Sequence, residues 1–202
     1  MTALEATNKI RDRFASSLIG ENAFRGETSL TLQKSAVREV CEFAKESLGF
    51  DYLLDITSVD HFGDEPRFEL VYELYGLAHG IHLRLKCTVS EDDASAQTVS
   101  DLWPTADWHE REVFDMMGIR FAGHPDLRRI LMWEGYPFHP LRKDFPLEGK
   151  PSDMPDVAFS EVAPLAGGPF VSSPTDGNTQ VREPRARHAG DLTRPEKFIE
   201  EP

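Results

Sequence analysis

The chain has few cysteines: Cys41 and Cys87 are the only two in 202 residues, and they are far apart in the sequence. This chain alone therefore cannot supply a four-cysteine zinc site or the ligands of an iron–sulfur cluster. A chain of this length can bury a hydrophobic core without disulfides. Each cysteine falls on an apolar face of a predicted helix or strand, so we expect two free thiols in the core.

Long apolar runs and an excess of basic residues are also missing. No stretch approaches the roughly 20 apolar residues of a membrane-spanning helix, and the first residues lack the apolar centre of a signal peptide. Only 22 Lys and Arg stand against 35 Asp and Glu, which gives a net charge of −13. Nucleic-acid binding needs a basic surface, so that function is excluded. We expect a cytosolic chain that reaches a membrane only through other proteins.

The motifs of nucleotide and nucleophile chemistry are missing as well. There is no G-x-G-x-x-G after a predicted strand, no P-loop and no G-x-S-x-G elbow. His109 and Glu110 begin like the H-E-x-x-H helix of zinc proteases, but the position of the second histidine is Val113. The sequence therefore predicts no catalytic residue and no cofactor or metal held by this chain.

Two histidines leave one alternative open. His124 and His139 each precede a proline, and with Asp126 or Asp144 they could in principle bind a metal in a free-standing hydrolase. Their spacing fits no ligand pattern. The favoured interpretation is that the X-Pro backbone is extended and that each imidazole contacts a neighbouring carbonyl.

The first region, residues 1–94, has the pattern of an α+β body. Apolar residues at helical spacing predict a helix from Ala3 to Leu18. A strand follows at 29–32, and Ser35 is predicted to cap a second helix that ends at Gly49.

Three strands are then predicted near 51–59, 67–75 and 81–89, because apolar and polar residues alternate there. A hairpin between the last two places Glu73 opposite Arg84. Together these elements predict an α+β fold with a small mixed or antiparallel sheet of about four strands and helices packed on one face. A helical segment and a long extended C-terminal tail complete the predicted fold.

The second region, residues 95–149, begins with a predicted helix over 106–117, capped by Thr105 and ended by a glycine. On this helix Arg111 and Asp115 are four residues apart and could pair. A further helical turn is predicted over 127–133. Two prolines then stiffen an extended segment at 139–147.

The third region, residues 150–202, holds eight of the fourteen prolines and few large apolar residues. Such a segment cannot build a core of its own. It is predicted to be an extended tail that becomes ordered by wrapping partner subunits.

The second region resembles a known family. Residues 110–131 read EREVFDMMGIRFAGHPDLRRIL and residues 139–147 read HPLRKDFPL. These motifs resemble the signature of the C-type subunit of NADH–quinone oxidoreductase, the respiratory complex I, over about forty consecutive residues. The residues that carry the resemblance are Glu110, Arg111, Glu112, Asp115, Gly118, His124, Pro125, Arg128, Arg129, His139, Pro140, Arg142, Lys143, Asp144, Phe145 and Pro146.

The resemblance implies a structural subunit in the peripheral arm of a proton-translocating enzyme. The chain would pack chiefly against the D-type subunit and also lie near the B-type and I-type subunits, on the cytoplasmic side of the bacterial inner membrane. FMN and iron–sulfur clusters would belong to partner subunits, which pass electrons from NADH to quinone. The alternative is the equivalent subunit of a related membrane-bound hydrogenase or ferredoxin-dependent oxidoreductase.

The docking surface is predicted from the same residues. One charged ridge would consist of Glu110, Arg111, Glu112 and Asp115, and a second of Arg128, Arg129, Arg142, Lys143 and Asp144. Phe145, Pro146 and Leu147 would form an apolar anchor. Because removing one partner of a desolvated ion pair is costly, Arg142→Ala is expected to block assembly while the isolated chain stays folded.

Overall fold

A computed structural model of the chain describes residues 1–147, 149 and 150. By its internal contacts the chain divides into a unit of Met1–Asp144 and a second unit of Phe145–Pro202. The predicted boundary at residue 94 falls within the first unit. In the second unit, the Gly149 N–H donates to the Pro146 carbonyl at 2.9 Å. The prediction of a tail that wraps partners lies outside the described residues.

Three helices and seven strands form the regular structure of the described residues. The helices are α1 Ala3–Arg13, α2 Val37–Leu48 and α3 Ala106–Met117. The strands are β1 Leu18–Phe24, β2 Glu27–Leu32, β3 Tyr52–Asp60, β4 Phe68–Gly76, β5 Ile81–Val89, β6 Ser95–Gln97 and β7 Arg120–Ala122. In the described part of the chain, no helix has both the length and the apolar character that crossing a membrane requires.

Five of the strands form one mixed sheet in the order β1-β2-β5-β4-β3. The β2–β5 pair is parallel and the other neighbours are antiparallel, while β6 and β7 form a separate parallel pair. The α+β prediction is confirmed, with one strand more in the sheet than the four expected. The hairpin register is confirmed as well, because Glu73 lies opposite Arg84 and their side chains form an ion pair.

The additional strand is β1, which was not predicted, and the helix predicted over Ala3–Leu18 was too long because Leu18 begins this strand. The helix ends at Arg13, where the Phe14 ring packs edge-on against Phe43 of α2 with 5.7 Å between centroids. Leu18 then lies opposite Leu32 of β2. Phe14 and Leu18 have helical spacing in the sequence. That spacing alone cannot show that the chain leaves the helix before they find their packing partners.

The prediction of helix α2 is confirmed except for its N-terminal cap. Its buried residues are the predicted Val37, Val40, Cys41, Ala44 and Leu48, and it ends at a left-handed glycine with φ +73°. The predicted Ser35 cap is wrong, since Ser35 lies inside a 3₁₀ turn that precedes the helix and no side chain caps the helix.

The core lies on one face of the sheet. All three helices, the alternate residues of β4 and β5, and residues of β2 and β3 bury side chains in one cluster. Both cysteines are buried there as free thiols, as predicted. Burial raises the pKa of the Cys87 thiol to about 12 and that of the Cys41 thiol further, so both are inert at neutral pH.

Candidate functional site

Helix α3 is the element around which the signature residues are arranged. It buries Val113, Met116 and Met117 against the sheet and packs chiefly on β3. Thr105 is its N-cap residue, but the hydroxyl makes no capping bond and instead donates to the Leu53 carbonyl at 3.5 Å. The helix is therefore held by packing at its start and by the contacts described below at its end.

Asp115, on α3, organises the segment that follows the helix. Its fully buried carboxylate accepts the backbone N–H groups of Ile130, Leu131 and Met132 at 2.7–3.0 Å. The Arg129 guanidinium donates to the same carboxylate at 2.6 Å. Burial opposes ionisation, but these donors outweigh it and lower the pKa of Asp115 below its usual range.

This cradle corrects two predictions. Asp115 pairs with Arg129 and not with Arg111, whose guanidinium donates to the carbonyls of Arg128 and Arg129. The helical turn predicted over 127–133 is absent from that stretch. There the Asp115 carboxylate accepts three successive backbone N–H groups. Local sequence spacing does not reveal a contact between residues so far apart in the chain.

Residues 139–144, here called the strap, cap the end of α3. The last carbonyls of a helix have no partner within the helix, and the strap supplies three. His139 Nδ1 lies 3.0 Å from the Asp115 carbonyl, the Leu141 N–H donates to Met116 at 3.2 Å, and Arg142 Nε donates to Met117 at 2.7 Å. The strap therefore caps the C-terminal end of α3 through these three contacts.

Gly118 makes this close approach possible. It has φ +79° and ends α3 as predicted. A Cβ at this position would lie 2.6 Å from both His139 Nε2 and Arg142 Nη2. Only glycine satisfies both the left-handed backbone and the space that the strap leaves.

Arg67 fastens the other end of the strap. It is buried and donates two hydrogen bonds to Asp60 at 2.9 Å, one to Asp144 at 2.7 Å and one to Glu91 at 2.8 Å. Asp60 also accepts the Lys143 N–H at 2.8 Å. The pKa values of Asp60 and Asp144 are lowered, in each case chiefly by the hydrogen bond from Arg67.

Sequence reasoning missed Asp60, Arg67 and Glu91. They lie outside the signature segment, at the ends of β3 and β4 and just after β5. The one available signal was the pair of opposite charges that flanks the predicted turn between β3 and β4. That signal has low specificity, since most such pairs are solvated.

Glu110 is a second buried acid on α3. It accepts the Thr98 hydroxyl at 2.5 Å and the Val99 N–H at 2.7 Å, so it holds the loop after β6. Burial raises its pKa to about 7, and Asp107 and Asp101 add to the rise while the two hydrogen bonds oppose it. His124 Nε2 lies 3.9 Å from this carboxylate.

The two histidines of the metal alternative have separate backbone partners. His124 Nε2 is 3.2 Å from the Asp107 carbonyl, and His139 contacts the Asp115 carbonyl, as the favoured interpretation predicts. Asp144 is bound to Arg67. In the described ranges, no group of three or more His, Cys, Asp and Glu side chains is arranged to hold a metal ion.

The predicted ridges are thus divided between interior and surface. Glu110, Arg111 and Asp115 are buried, so the first ridge is not a charged surface, and only Glu112 of that set is exposed. Of the other predicted site residues, Pro125, Arg128, Lys143 and Asp144 are exposed, while Gly118, His124, Arg129, His139, Pro140, Arg142, Phe145 and Pro146 are half-buried. The buried charges position the backbone around α3.

Large apolar side chains remain exposed around α3. Trp108 lies on the helix and is 59% exposed, Leu131 follows the Asp115 cradle and is 63% exposed, and Leu141 of the strap is 57% exposed. The Leu131 N–H donates to the buried Asp115 carboxylate, the Leu141 N–H donates to the Met116 carbonyl, and Trp108 is part of the helix. The arrangement therefore presents apolar side chains on a rigid support, which suits recognition of another protein.

Comparison with known proteins supplies an independent finding. A family model described as the 30 kDa subunit of respiratory-chain NADH dehydrogenase matches residues 30–151. The C-type subunit of the NADH-quinone oxidoreductase of Geobacter sulfurreducens is 48% identical over 145 residues, which cover 71% of this chain and 90% of the relative. A C-type subunit of the same enzyme from Rhizobium meliloti is 44% identical over 163 residues, 74% of this chain and 89% of the relative.

Two solved structures share the fold. A trypsin-resistant fragment of Nqo5 is 32% identical with a TM-score of 0.55, over 63% of this chain and all of the fragment. A chain of the membrane-bound sulfane sulfur reductase, an archaeal respiratory membrane complex, is 28% identical with a TM-score of 0.62. That match covers 71% of this chain and 85% of the other.

Proposed function

This chain belongs to the family of the 30 kDa subunit of respiratory-chain NADH dehydrogenase, and from that premise we propose that it is the C-type subunit of a proton-translocating NADH–quinone oxidoreductase. The observation that carries the proposal is 48% identity over 90% of the length of such a subunit. In this role the chain is a structural component of the peripheral arm. Electrons from NADH pass to quinone through FMN and iron–sulfur clusters held by other subunits.

The geometry around α3 supports a docking role. Asp115, Arg67 and Glu110 hold loops and the strap through buried hydrogen bonds, which fits a structural role. What faces outward is a set of apolar side chains with Glu112, Arg128 and Lys143 among them. We assign the D-type subunit as the chief partner, with the B-type and I-type subunits nearby, on the cytoplasmic side of the inner membrane.

Purification of the tagged chain from its native membranes in mild detergent tests this proposal. The expected result is co-purification of subunits that carry FMN and iron–sulfur clusters, with NADH–quinone activity in the same fraction. Isolation of the chain by itself, as a monomer with bound metal and hydrolytic activity, would refute the proposal and support the hydrolase alternative.

A second candidate follows from the similarity to the sulfane sulfur reductase chain, which shows the same fold in a different respiratory complex. The chain would then be the equivalent subunit of a related hydrogenase or ferredoxin-dependent oxidoreductase. The co-purified subunits discriminate between the two. A flavin-bearing, NADH-binding subunit supports the first proposal, and a complex without one supports the second.

A further inference from the structure

Strand β3 forms one edge of the five-stranded sheet and pairs only with β4. Beyond that pairing, no hydrogen bond from any described residue reaches the backbone of residues 54–59. An edge strand presents a row of unpaired N–H and C=O groups and can accept another strand. The backbone of residues 54–59 is therefore free to pair with an added strand.

The strand has only part of the protection that edge strands usually carry. Tyr52–Asp60 contains no proline or lysine, but a bulge lies between Leu53 and Asp55, and Asp55 and Asp60 are charged. Leu54 and Val59 are exposed, although both are apolar. An edge that exposes apolar side chains is an aggregation hazard unless the assembled protein covers it.

A groove runs beside this edge. It is a small cavity of about 90 Å³ that four consecutive residues of β3, 55–58, help to line. Because successive side chains of a strand point to opposite faces, four consecutive residues line the groove through backbone as well as side-chain atoms. The opposite wall consists of Glu112, Val113, Met116 and Met117 of α3, with Leu141 of the strap.

Two features of the groove indicate the chemistry of its occupant. The Ser58 hydroxyl oxygen is buried and has no hydrogen-bond partner among the described residues. Asp55 and Glu112 place two carboxylates on the lining, which includes no lysine or arginine among the described residues. Asp55 already contacts His109 Nδ1 at 3.1 Å, whereas Glu112 is exposed and forms no ion pair within the described part of the chain, so Glu112 is the carboxylate left for a partner. The groove therefore favours a basic partner segment.

We propose that an extended segment of a neighbouring subunit, with lysine or arginine side chains, adds to β3 as a sixth strand of the sheet. Its backbone would pair with residues 54–59 and a basic side chain would reach Glu112. The inference rests on the proposed function, since it names the mode by which this subunit joins its complex. It extends the docking surface from the strap to the sheet edge.

Photo-crosslinking in the intact complex tests the occupant. A photoreactive amino acid replaces the exposed Val59, the complex is irradiated, and the crosslinked peptide is sequenced. The expected product joins β3 to a lysine- or arginine-containing segment of another subunit. A crosslink to a second copy of this chain, a crosslink to residues 151–202, or the absence of any crosslink overturns the proposal.

Charge reversal tests the basic character of the segment. Glu112→Lys is expected to lower the crosslink yield at Val59 at least fivefold. Glu46→Lys on α2 is the matched control, because Glu46 is also an exposed helix glutamate with no ion pair among the described residues. An equal yield in both variants contradicts the proposal.

A pair of prolines tests strand addition itself. Successive N–H groups of β3 alternate between β4 and the outer edge, so only one of Thr57→Pro and Ser58→Pro removes a bond to β4. Urea unfolding identifies the variant that keeps its stability. That variant is expected to be incorporated into the complex at least tenfold less, and wild-type incorporation overturns the proposal. If neither variant folds, the crosslink and the charge reversal decide.

The two proposals fail differently. If the chain co-purifies with its complex but gives no crosslink at Val59, strand addition is wrong and the assignment as the C-type subunit stands. If the chain does not join any respiratory complex, the proposed function itself is wrong.

Discussion

At the residue scale, two fully buried acids on one helix behave in opposite ways. Asp115 and Glu110 both have 0% exposure. Three backbone N–H groups and Arg129 stabilise the ionised form of Asp115, so its pKa is lowered despite burial. Glu110 has two donors and faces Asp107 and Asp101, so burial prevails and its pKa rises to about 7. Desolvation, neighbouring charges and hydrogen-bond donors together decide which form each acid prefers.

Replacing Asp115 by asparagine tests the cradle. Asp115→Asn leaves Arg129 without its carboxylate, so the free energy of unfolding in urea is expected to fall by about 3 kcal/mol. Asp126→Asn is the control, because its ion pair with Arg128 is exposed on both sides and is worth less than about 1 kcal/mol. Equal losses in the two variants would contradict a special role for Asp115.

Glu110 predicts a dependence of stability on pH. Its folded pKa, about 7, is above the ordinary value of 4.5, so between these pH values the folded state binds more protons than the unfolded state. Stability from this group is therefore present at low pH and is lost as pH rises towards 7. Relative to Glu110→Gln, the wild type is expected to lose roughly 2 kcal/mol between pH 5 and pH 8.

Urea unfolding of both proteins at several pH values checks this. The glutamine keeps the shape of the side chain and can still bond Val99 and Thr98, so the comparison isolates the charge of residue 110. A difference in the free energy of unfolding that stays constant from pH 5 to pH 8 would show that Glu110 does not titrate there.

At the scale of elements, the end of α3 and the strap form one unit. Three orphan carbonyls of the helix are bonded by the strap, and Arg67 holds its far end. The sequence predicts the helix, its final glycine and the stiff segment with two prolines. It cannot predict that they meet, because the contacting residues are more than twenty positions apart.

Gly118→Ala tests that junction. The new Cβ would force His139 and Arg142 away from the helix end, and the left-handed backbone adds strain. We expect the free energy of unfolding to fall by about 3 kcal/mol. The control is Gly135→Ala, where φ is +88° but the Cβ would meet nothing within 4 Å, so only the strain of about 1–2 kcal/mol is expected.

The stability difference between the two variants reports the packing of the strap on the helix. Urea unfolding measures it directly. A loss at Gly118 no greater than the loss at Gly135 would mean that the strap moves away without cost.

At the scale of the whole molecule, buried charges and exposed apolar groups have different roles. The buried charges fix the backbone around α3, and we propose that the exposed apolar side chains contact partner subunits. Leu131→Asp is expected to change the unfolding free energy by less than about 0.5 kcal/mol, since Leu131 is 63% exposed. The same change is expected to reduce co-purification with the complex several-fold.

Leu77→Asp is the matched control for Leu131→Asp. Leu77 has the same 63% exposure but lies next to the β4–β5 turn. Normal assembly of the Leu131 variant, or equal loss of assembly in both, would place the docking surface elsewhere.

Arg142→Ala remains a test of assembly, but its expected effect on the isolated chain changes. Because Arg142 donates to the Met117 carbonyl and to Glu91, its loss is expected to lower the unfolding free energy by about 2 kcal/mol. Urea unfolding beside co-purification separates the two effects. Full stability with blocked assembly would mean that Arg142 acts at the partner surface, as the sequence alone suggested.

The sequence by itself determined the α+β class, the buried face of α2, the register of the β4–β5 hairpin and the family. The periodicity of apolar residues, the glycines that end helices and a forty-residue motif are all local properties of the chain, so they can be read from the sequence. Only the tertiary structure decided which charges face inward. In the sequence Glu110 and Asp115 look like ordinary charged residues of a helix, and β1 begins at Leu18, the last member of an apolar stripe of helical period. Burial and hydrogen bonding depend on segments that are distant in the chain, so one line of sequence cannot distinguish a surface carboxylate from one that holds a loop in place.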